Sequence, residues 1–99
     1  MARFDVYELR SSGTMVVNYQ SDLLDHYATR FIIPLLPPTN SRRPTPRLNP
    51  VFKVQDKDLV FYPQLAATVR ASELATPIDS LAEHHTEIID AIDMLISGF

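Results

Sequence analysis

Two short stretches near the start of the chain have the pattern of β-strands. Residues 4–9 (FDVYEL) alternate between apolar and polar side chains, with the period of two that is typical of a strand with one buried face. Residues 15–19 (MVVNY) form a second strand-like run, and residues 11–13 (SSG) between them have the composition of a turn. The pattern therefore predicts that the chain opens with a β-hairpin.

The next segment is predicted to bend and then to form a third strand. Residues 20–25 (QSDLLD) place Ser and Asp around two adjacent leucines, which would point to opposite faces of a strand. We therefore expect a bend that exposes at least one of Leu23 and Leu24. Residues 31–36 (FIIPLL) predict a strand in which Pro34 cannot donate a ladder hydrogen bond, which favours an edge position or the end of pairing.

The middle of the chain is rich in proline and then returns to strand-like runs. Residues 37–50 contain five prolines and predict an extended excursion that is neither a helix nor a central strand. Residues 51–54 and 59–62 are apolar runs on either side of a polar tetrad, and they predict a second hairpin. Residues 65–69 fit either a short strand or a helical turn.

The last part of the chain has the apolar spacing of a helix. One stripe, with steps of three and four residues, consists of Ile78, Leu81, His85, Ile88, Ile89, Ile92, Leu95, Ile96 and Phe99. Ser80 is the expected N-cap, with Glu83 reaching back in a capping box, and the helix is predicted to end near Gly98. About five strands followed by one helix imply a mainly-β fold, an antiparallel sheet curled into a barrel with the helix on one side.

Composition places the chain among globular proteins and excludes several classes. Its 99 residues fit a single domain, 1–99, and no stretch approaches the length of a membrane span. The absence of cysteine excludes disulfides, thiolate metal sites and a cysteine nucleophile. The early acidic residue Asp5 argues against a signal peptide, so we expect a cytoplasmic protein. The net charge of −3 argues against nucleic-acid binding by the whole surface.

Charge is distributed unevenly along the chain. Residues 34–57 hold five cations and one anion, whereas residues 58–99 hold one cation and seven anions. No Lys or Arg follows Arg70, so the predicted helix end carries no cation at the negative pole of its dipole. An end that is both acidic and apolar favours docking of a basic, partly apolar partner. The alternative is that Phe99 fills the domain's own core.

Histidines supply the first candidates for chemistry. Because His84 and His85 are adjacent on a helix, they point about 100° apart and cannot chelate one metal together. His26 has three charged residues nearby that could form an acid–base cluster with it: Asp22, Asp25 and Arg30. A surface bend explains that cluster more simply. No metal or other cofactor is expected.

Other polar residues give equally little evidence of catalysis. Arg10 could stand beside a strand end, as in an RNA-cleaving site, but it lacks a matched base. Asp90 and Asp93 share a helical face without a recognisable pocket. With only Gly13 and Gly98 there is no phosphate-binding loop. We therefore expect an interaction protein rather than an enzyme.

Several motifs, in order and spacing, resemble the CcdB toxin family. They are residues 4–7 (FDVY), 20–25 (QSDLLD), 30–35 (RFIIPL), 48–51 (LNPV) and 90–99 (DAIDMLISGF). The resemblance implies an SH3-like antiparallel barrel shared with MazF and Kid toxins, with a small extra sheet and one C-terminal helix. It also implies a symmetric homodimer, a CcdA-like antitoxin partner, and a target in the DNA gyrase A subunit that the toxin poisons without catalysing a reaction. Contact with DNA would occur only through the toxin–antitoxin complex.

The family's gyrase-contacting positions can be carried over to this chain. They fall on Leu23, Leu24, Asp93, Ile96, Ser97, Gly98 and Phe99. Three of them depart from the family pattern: Asp93 stands at the usual Asn, Ile96 at an aromatic residue and Ser97 at a Trp. That Trp is expected to stack on a gyrase arginine, which Ser97 cannot do.

The basic, proline-rich segment is the expected antitoxin site. Arg42, Arg43 and Arg47 could hold an acidic antitoxin tail that folds on binding. Two alternative functions remain open. One is a degenerate, non-toxic homologue that still binds antitoxin, which the Ser97 substitution favours. The other is a MazF-like endoribonuclease, for which Arg10 with His26 or Asp22 is the candidate pair.

Overall fold

The part of the chain that the structure describes forms seven strands and one helix. The computed structural model describes residues 2–39 and 44–98. The strands are β1 (Asp5–Glu8), β2 (Met15–Asn18), β3 (Thr29–Leu36), β4 (Val51–Val54), β5 (Lys57–Phe61), β6 (Ala67–Arg70) and β7 (Asp79–Ser80). Helix α1 (His85–Ser97) follows them. Short 3-10 turns occupy Asp22–Leu24, Pro63–Leu65, Ala71–Glu73 and Ala82–His84.

The strands form one antiparallel sheet that is organised around β3. The order is β4-β5-β3-β2-β1-β7, and β6 also pairs with β3. One edge of β3 pairs with β2, while the other pairs with β6 along its first half and with β5 at its end. Because β3 pairs with different strands along its length, the sheet curls into a nearly closed barrel. The β4–β5 hairpin forms one end of the sheet. The mainly-β barrel with one C-terminal helix, expected from the sequence, is confirmed.

Both predicted hairpins are present. In the first, β1 pairs with β2 so that Val6 lies opposite Val17. In the second, β4 pairs with β5 across a two-residue turn at Gln55 and Asp56, whose φ angles are 50° and 66°. Two successive positive φ angles match the right-handed twist of the strands, as in type I′ turns. The ambiguous stretch at residues 65–69 lies in a 3-10 turn followed by strand β6.

Of the two expectations for Pro34, the edge position is wrong, because β3 lies in the interior of the sheet, and the end of pairing is confirmed on one side of β3. Pro34 lies opposite Val16 of β2, and its carbonyl accepts from the backbone N–H of Tyr62 at 3.1 Å. The N and C=O of one strand residue face the same side, so the missing donor of Pro34 points away from β2. On that side, pairing passes from β6, which ends opposite Ile32, to β5, which begins opposite Leu35. A proline at this gap removes no ladder hydrogen bond.

The helix starts later than the sequence pattern predicts. Ser80 belongs to β7, and its hydroxyl accepts from the N–H of Ala82 at 3.2 Å. Its own N–H donates to Asp79 Oδ1 at 2.8 Å, so the capping box with Glu83 is not formed. A 3-10 turn intervenes, and α1 begins at His85 without a side-chain cap.

Apolar side chains are buried on both faces of the sheet. The larger cluster combines strand residues with the inner face of α1 and includes Val6, Val17, Ile33, Leu35, Phe52, Phe61, Leu81, Ile88 and Ala91. A smaller cluster on the opposite face joins Tyr7, Val16, Ile32 and Leu74. Successive residues of a strand therefore pack in two different apolar clusters, one on each face of the sheet. Within the described ranges, no helix is long and apolar enough to cross a membrane.

Candidate functional site

Folding leaves apolar side chains exposed in two places that the sequence analysis singled out. The first is the loop between β2 and β3, where Leu23 is 86% exposed and Leu24 is 39% exposed. The second is the last turn of α1, where Ile96 is 76% exposed and Leu95 is 39% exposed. Large apolar groups at the surface in such clusters are typical of interaction sites. We call these the leucine loop (residues 21–28) and the helix end (residues 93–98).

The leucine loop is a tight turn built by its own polar residues. The Ser21 hydroxyl accepts from the Leu23 N–H at 3.3 Å and caps the 3-10 turn. The Leu24 N–H donates to the Ser21 carbonyl at 2.9 Å, and the Asp25 N–H donates to the Asp22 carbonyl at 3.2 Å. These bonds close the turn while leaving the Leu23 side chain in solvent. The prediction of a bend that exposes a leucine is confirmed.

Charged and polar side chains anchor the leucine loop from beneath. Arg30 is 6% exposed and donates to the Asp25 and Thr29 carbonyls, both at 2.8 Å, and to the carbonyl of Tyr27. Its Nε lies 3.9 Å from Asp25 Oδ1. The Gln20 amide donates to the carbonyls of Leu24 and Thr29, each at 3.1 Å. Sequence reasoning assigned Arg30 to an acid–base cluster and did not identify this clamp.

The N-terminal segment connects the leucine loop with the start of the helix. The Arg3 N–H donates to Asp22 Oδ1 at 2.8 Å, and the Arg3 guanidinium lies over the Tyr19 ring, 4.5 Å from its centroid. The next residue, Phe4, packs against the His85 ring at a centroid distance of 6.3 Å. His85 is the first residue of α1, so Ile96 lies about 16 Å further along the helix axis. Within one chain the leucine loop is therefore connected to the first turn of α1, and the helix end lies at the other end of that helix.

The helix end is shaped by backbone conformation. Gly98 adopts a left-handed conformation with φ 77°, and its N–H donates to the Met94 carbonyl at 3.0 Å. A Cβ at Gly98 would meet nothing within 4 Å, so glycine is favoured here by backbone strain alone. Asp93 and Ser97 are exposed beside Ile96. The last turn carries no basic residue, so it presents both the negative pole of the dipole and a carboxylate. Phe99 lies outside the described residues.

The expected antitoxin-binding arginines can be followed only in part. Arg42 and Arg43 lie outside the described residues. Arg47 is exposed in a turn with φ 73°, and it lines a cleft of about 230 Å³ with Pro50, Glu87 and Asp90. Arg47 therefore shares a cleft with two acidic residues of α1.

The histidines do not assemble a catalytic or metal site. The His26 ring packs edge-on against Tyr27 at 4.5 Å. His84 Nδ1 lies 3.0 Å from Glu87 Oε1, and His85 Nδ1 lies 3.1 Å from the carbonyl of Ala82. Among residues 2–39 and 44–98, no group of three His, Cys, Asp or Glu side chains could hold a metal ion.

Of the two candidate endoribonuclease pairs, Arg10 with Asp22 is not brought together within one chain. Asp22 binds the backbone of Arg3, before β1, whereas Arg10 follows β1 at its other end and donates its N–H to the Glu73 carbonyl. A cleft of about 300 Å³ does open near Arg10, lined by Ser12–Met15, Leu35–Pro37, Lys57 and Leu59. Lys57 is the one ionisable side chain of that lining, so it offers no acid–base pair.

Comparison with solved structures identifies the class of fold. The chain is similar to the Mycobacterium tuberculosis toxin MazF-mt6, with a TM-score of 0.74 and 14% sequence identity. The match covers 90% of this chain and 92% of that one. At this identity the likeness concerns the fold, a small barrel that is found in toxins.

Comparison with family models identifies the family. The model described as CcdB protein matches residues 3–98, and the chain therefore belongs to the CcdB family. Its members are toxins of toxin–antitoxin systems. A search of curated proteins found no match.

Proposed function

We propose that this protein is the toxin of a toxin–antitoxin pair, that it binds the A subunit of DNA gyrase, and that it inhibits the enzyme by holding it rather than by catalysing a reaction. The observation that carries the proposal is the pair of exposed apolar groups, the leucine loop and the helix end, on a barrel of the CcdB family. In the resemblance described above, these are the positions that contact gyrase.

The leucine loop has the properties of a contact surface. Leu23 contributes almost nothing to the core because 86% of its side chain is in solvent. The hydrogen bonds of Ser21, Gln20 and Arg30 nevertheless hold its backbone in one conformation. A rigid, exposed apolar side chain loses little conformational entropy when it is buried by a partner.

The helix end adds a charged element to an apolar one. Ile96 offers apolar surface, and the neighbouring Asp93 carboxylate is available for a charge-assisted hydrogen bond with an arginine of gyrase. In this chain such a bond would replace part of the aromatic stacking that the family's Trp is expected to make and that Ser97 cannot make. We propose that Gly98 and Phe99 complete the contact.

We further propose that the protein works as a homodimer and is neutralised by a CcdA-like antitoxin. The antitoxin site includes Arg42, Arg43 and Arg47. Arg47 shares its cleft with Glu87 and Asp90, so an acidic antitoxin segment that binds Arg47 there would also approach these two acidic residues. Replacement of the three arginines with alanine should weaken antitoxin binding and reduce its salt dependence. Unchanged affinity and salt dependence would remove these residues from the site.

The experiment that tests the main proposal is binding to a purified gyrase A dimerisation fragment. The wild-type chain is compared with a variant that lacks residues 97–99 and with Leu65→Ala, a matched control because Leu65 is an exposed apolar residue outside both groups. We expect wild type and Leu65→Ala to bind alike and the truncated chain to lose binding. Absence of binding by a folded, dimeric wild-type protein would contradict the proposal.

Two parallel measurements distinguish the alternatives. Tight antitoxin binding, together with normal growth on strong expression, would indicate a degenerate homologue, which the serine at position 97 favours. Cleavage of RNA by the pure protein would indicate an endoribonuclease. We expect RNA to stay intact, because the chain does not bring Arg10 and Asp22 together.

A further inference from the structure

The leucine loop presents a hydrogen-bonding problem that its own backbone does not solve. A turn followed by a bend leaves carbonyl groups without ladder partners, and carbonyls near a protein core need donors. Residues 24–29 connect the 3-10 turn to the start of β3 in this way. The carbonyls of Asp25, Tyr27 and Thr29 accept from side chains, and the carbonyl of Leu24 accepts from the Tyr27 N–H and from a side chain as well. Those side chains come from only two residues.

The first of these residues is Arg30, which lies in β3 directly after the loop. Its two terminal nitrogens donate to two carbonyls of the loop, those of Asp25 and Tyr27, and to the carbonyl of Thr29 at the start of β3, and its Nε lies 3.9 Å from Asp25 Oδ1. A guanidinium offers five donors in a fixed planar fork, so one side chain can fix several backbone groups at once. With 6% exposure, Arg30 is covered by the loop and is not available to touch a partner.

The second residue is Gln20, at the end of β2. Its amide nitrogen donates to the carbonyls of Leu24 and Thr29, and its Oε1 accepts from the Phe31 N–H at 3.0 Å. Gln20 and Arg30 therefore approach the loop from its two ends. The Thr29 carbonyl, at the start of β3, accepts from both of them.

The barrel itself does not explain a buried cation at position 30. On the same face of β3, the next inward residue is Ile32, which packs with Tyr7, Val16 and Leu74 in an apolar cluster. Burying a guanidinium beside such a cluster is costly unless it is fully paired. Two of the three hydrogen bonds that Arg30 donates go to carbonyls of the loop and the third goes to the adjacent Thr29, so the polar contacts of this residue order the loop rather than join strands.

We propose that Arg30, assisted by Gln20, is a positioning residue that fixes the leucine loop so that Leu23 is presented to the partner in its binding conformation. The inference rests on the proposed function for the identity of the partner. The ordering of the loop, however, is a property of the free protein. The two parts can therefore be tested separately.

Hydrogen exchange of the free protein tests the ordering. Arg30→Lys keeps the charge but replaces the fork by a single ammonium, and Arg10→Lys is the matched control at an exposed arginine. In Arg30→Lys the amides of Asp25 and Tyr27 should exchange about tenfold faster or more. The reason is that local opening of the loop in this variant does not require the hydrogen bonds of a guanidinium to be broken. The Phe61 amide, bonded to the Pro50 carbonyl elsewhere in the barrel, should be unaffected. Gln20→Leu should give the same pattern with a smaller change.

Binding to the gyrase A fragment tests the positioning. Leu23→Ala and Arg30→Lys should each weaken binding about tenfold, and the double variant should be weakened far less than a hundredfold, since Arg30 acts through Leu23. A purely structural role would make the two effects multiply.

Each other outcome has a defined meaning. Unchanged exchange at Asp25 and Tyr27, acceleration throughout the barrel, or failure of Arg30→Lys to fold would overturn the assignment. The assignment would also be overturned if the affinity losses of Leu23→Ala and Arg30→Lys multiplied in the double variant. Unchanged binding by Arg30→Lys, despite faster exchange in its loop, would overturn it too. If wild type does not bind the fragment, the proposed function fails, and the exchange data alone decide whether Arg30 orders the loop.

Discussion

The leucine loop and the helix end expose similar apolar side chains but are stabilised differently. In the loop, hydrogen bonds from the side chains of Arg30 and Gln20 determine where Leu23 lies. At the helix end, Ile96 is placed by the regular backbone of α1, which ends in the left-handed Gly98. The loop conformation should therefore depend on single buried polar residues. The helix end should tolerate side-chain changes, because what holds it is local backbone geometry and the buried inner face of α1.

The largest expected effect separates the two faces of α1. Ile88→Ala removes a fully buried side chain and should lower the free energy of unfolding by about 2–5 kcal/mol. Ile96→Ala, at a position that is 76% exposed, should change it by no more than about 0.5 kcal/mol. Urea denaturation measures both. A large loss of unfolding free energy in Ile96→Ala would mean that the helix end is part of the core. It would contradict the contrast between the buried and exposed faces of α1.

Exposed leucine at the loop tip should matter for binding and not for folding. Leu23→Ala should leave the unfolding free energy within about 0.5 kcal/mol of wild type, because the side chain is 86% exposed. Its affinity for the gyrase A fragment should fall about tenfold, which corresponds to about 1.4 kcal/mol. Calorimetry measures the affinity, with Leu65→Ala as the control. Equal losses in the two variants would show that the loop is not a specific contact.

Replacement of Gly98 tests the claim that backbone geometry shapes the helix end. Gly98→Ala should cost about 1 kcal/mol, because a residue with a Cβ is strained at φ 77° although there is space for the atom. Gly13→Ala provides a matched control, since Gly13 has φ 73° and equally open surroundings far from the helix. Similar stability losses with weaker gyrase binding only for Gly98→Ala would support a role of the helix end in binding. Weaker binding for both would point to a general loss of stability.

The sequence predicted what depends on local pattern and failed where distant residues decide. The strand periodicities, the bend at Leu23 and the helical spacing from His85 to Ile96 follow from the local pattern, and the structure contains them, whereas Ile78 and Leu81 precede α1. For Pro34 the sequence left an edge position and an end of pairing open, because the choice depends on where two other strands meet along β3. Ser80 was misplaced as a helix cap because β7 uses it to pair with Asp5 of β1. The clamp by Arg30 could not be found because its acceptors are backbone carbonyls, which leave no trace in the sequence.

The smallest expected effect concerns the charged groups beneath the loop. The Tyr7 hydroxyl is buried, and within the described residues it has no hydrogen-bond partner. Burial raises the pKa of Tyr7 above its usual value, with further contributions from the carboxylates of Asp5 and Asp25, while Arg30 opposes them. Because the folded state disfavours the tyrosinate, stability should be complete below the ordinary pKa of 10.0 and should fall as the pH rises above it.

Tyr7→Phe isolates this contribution. The variant removes an unsatisfied hydroxyl, so it should be equal to wild type or up to about 1 kcal/mol more stable near neutral pH. Its loss of stability between pH 9 and pH 11 should be smaller than that of wild type, as measured by urea denaturation across the range. Tyr27→Phe, at an exposed tyrosine, should follow the wild-type profile. Coinciding profiles for Tyr7→Phe and wild type would show that burial of the Tyr7 hydroxyl does not make the stability depend on pH in this range. A smaller slope would show that the buried Tyr7, next to the polar groups that anchor the leucine loop, makes the stability of the fold depend on pH.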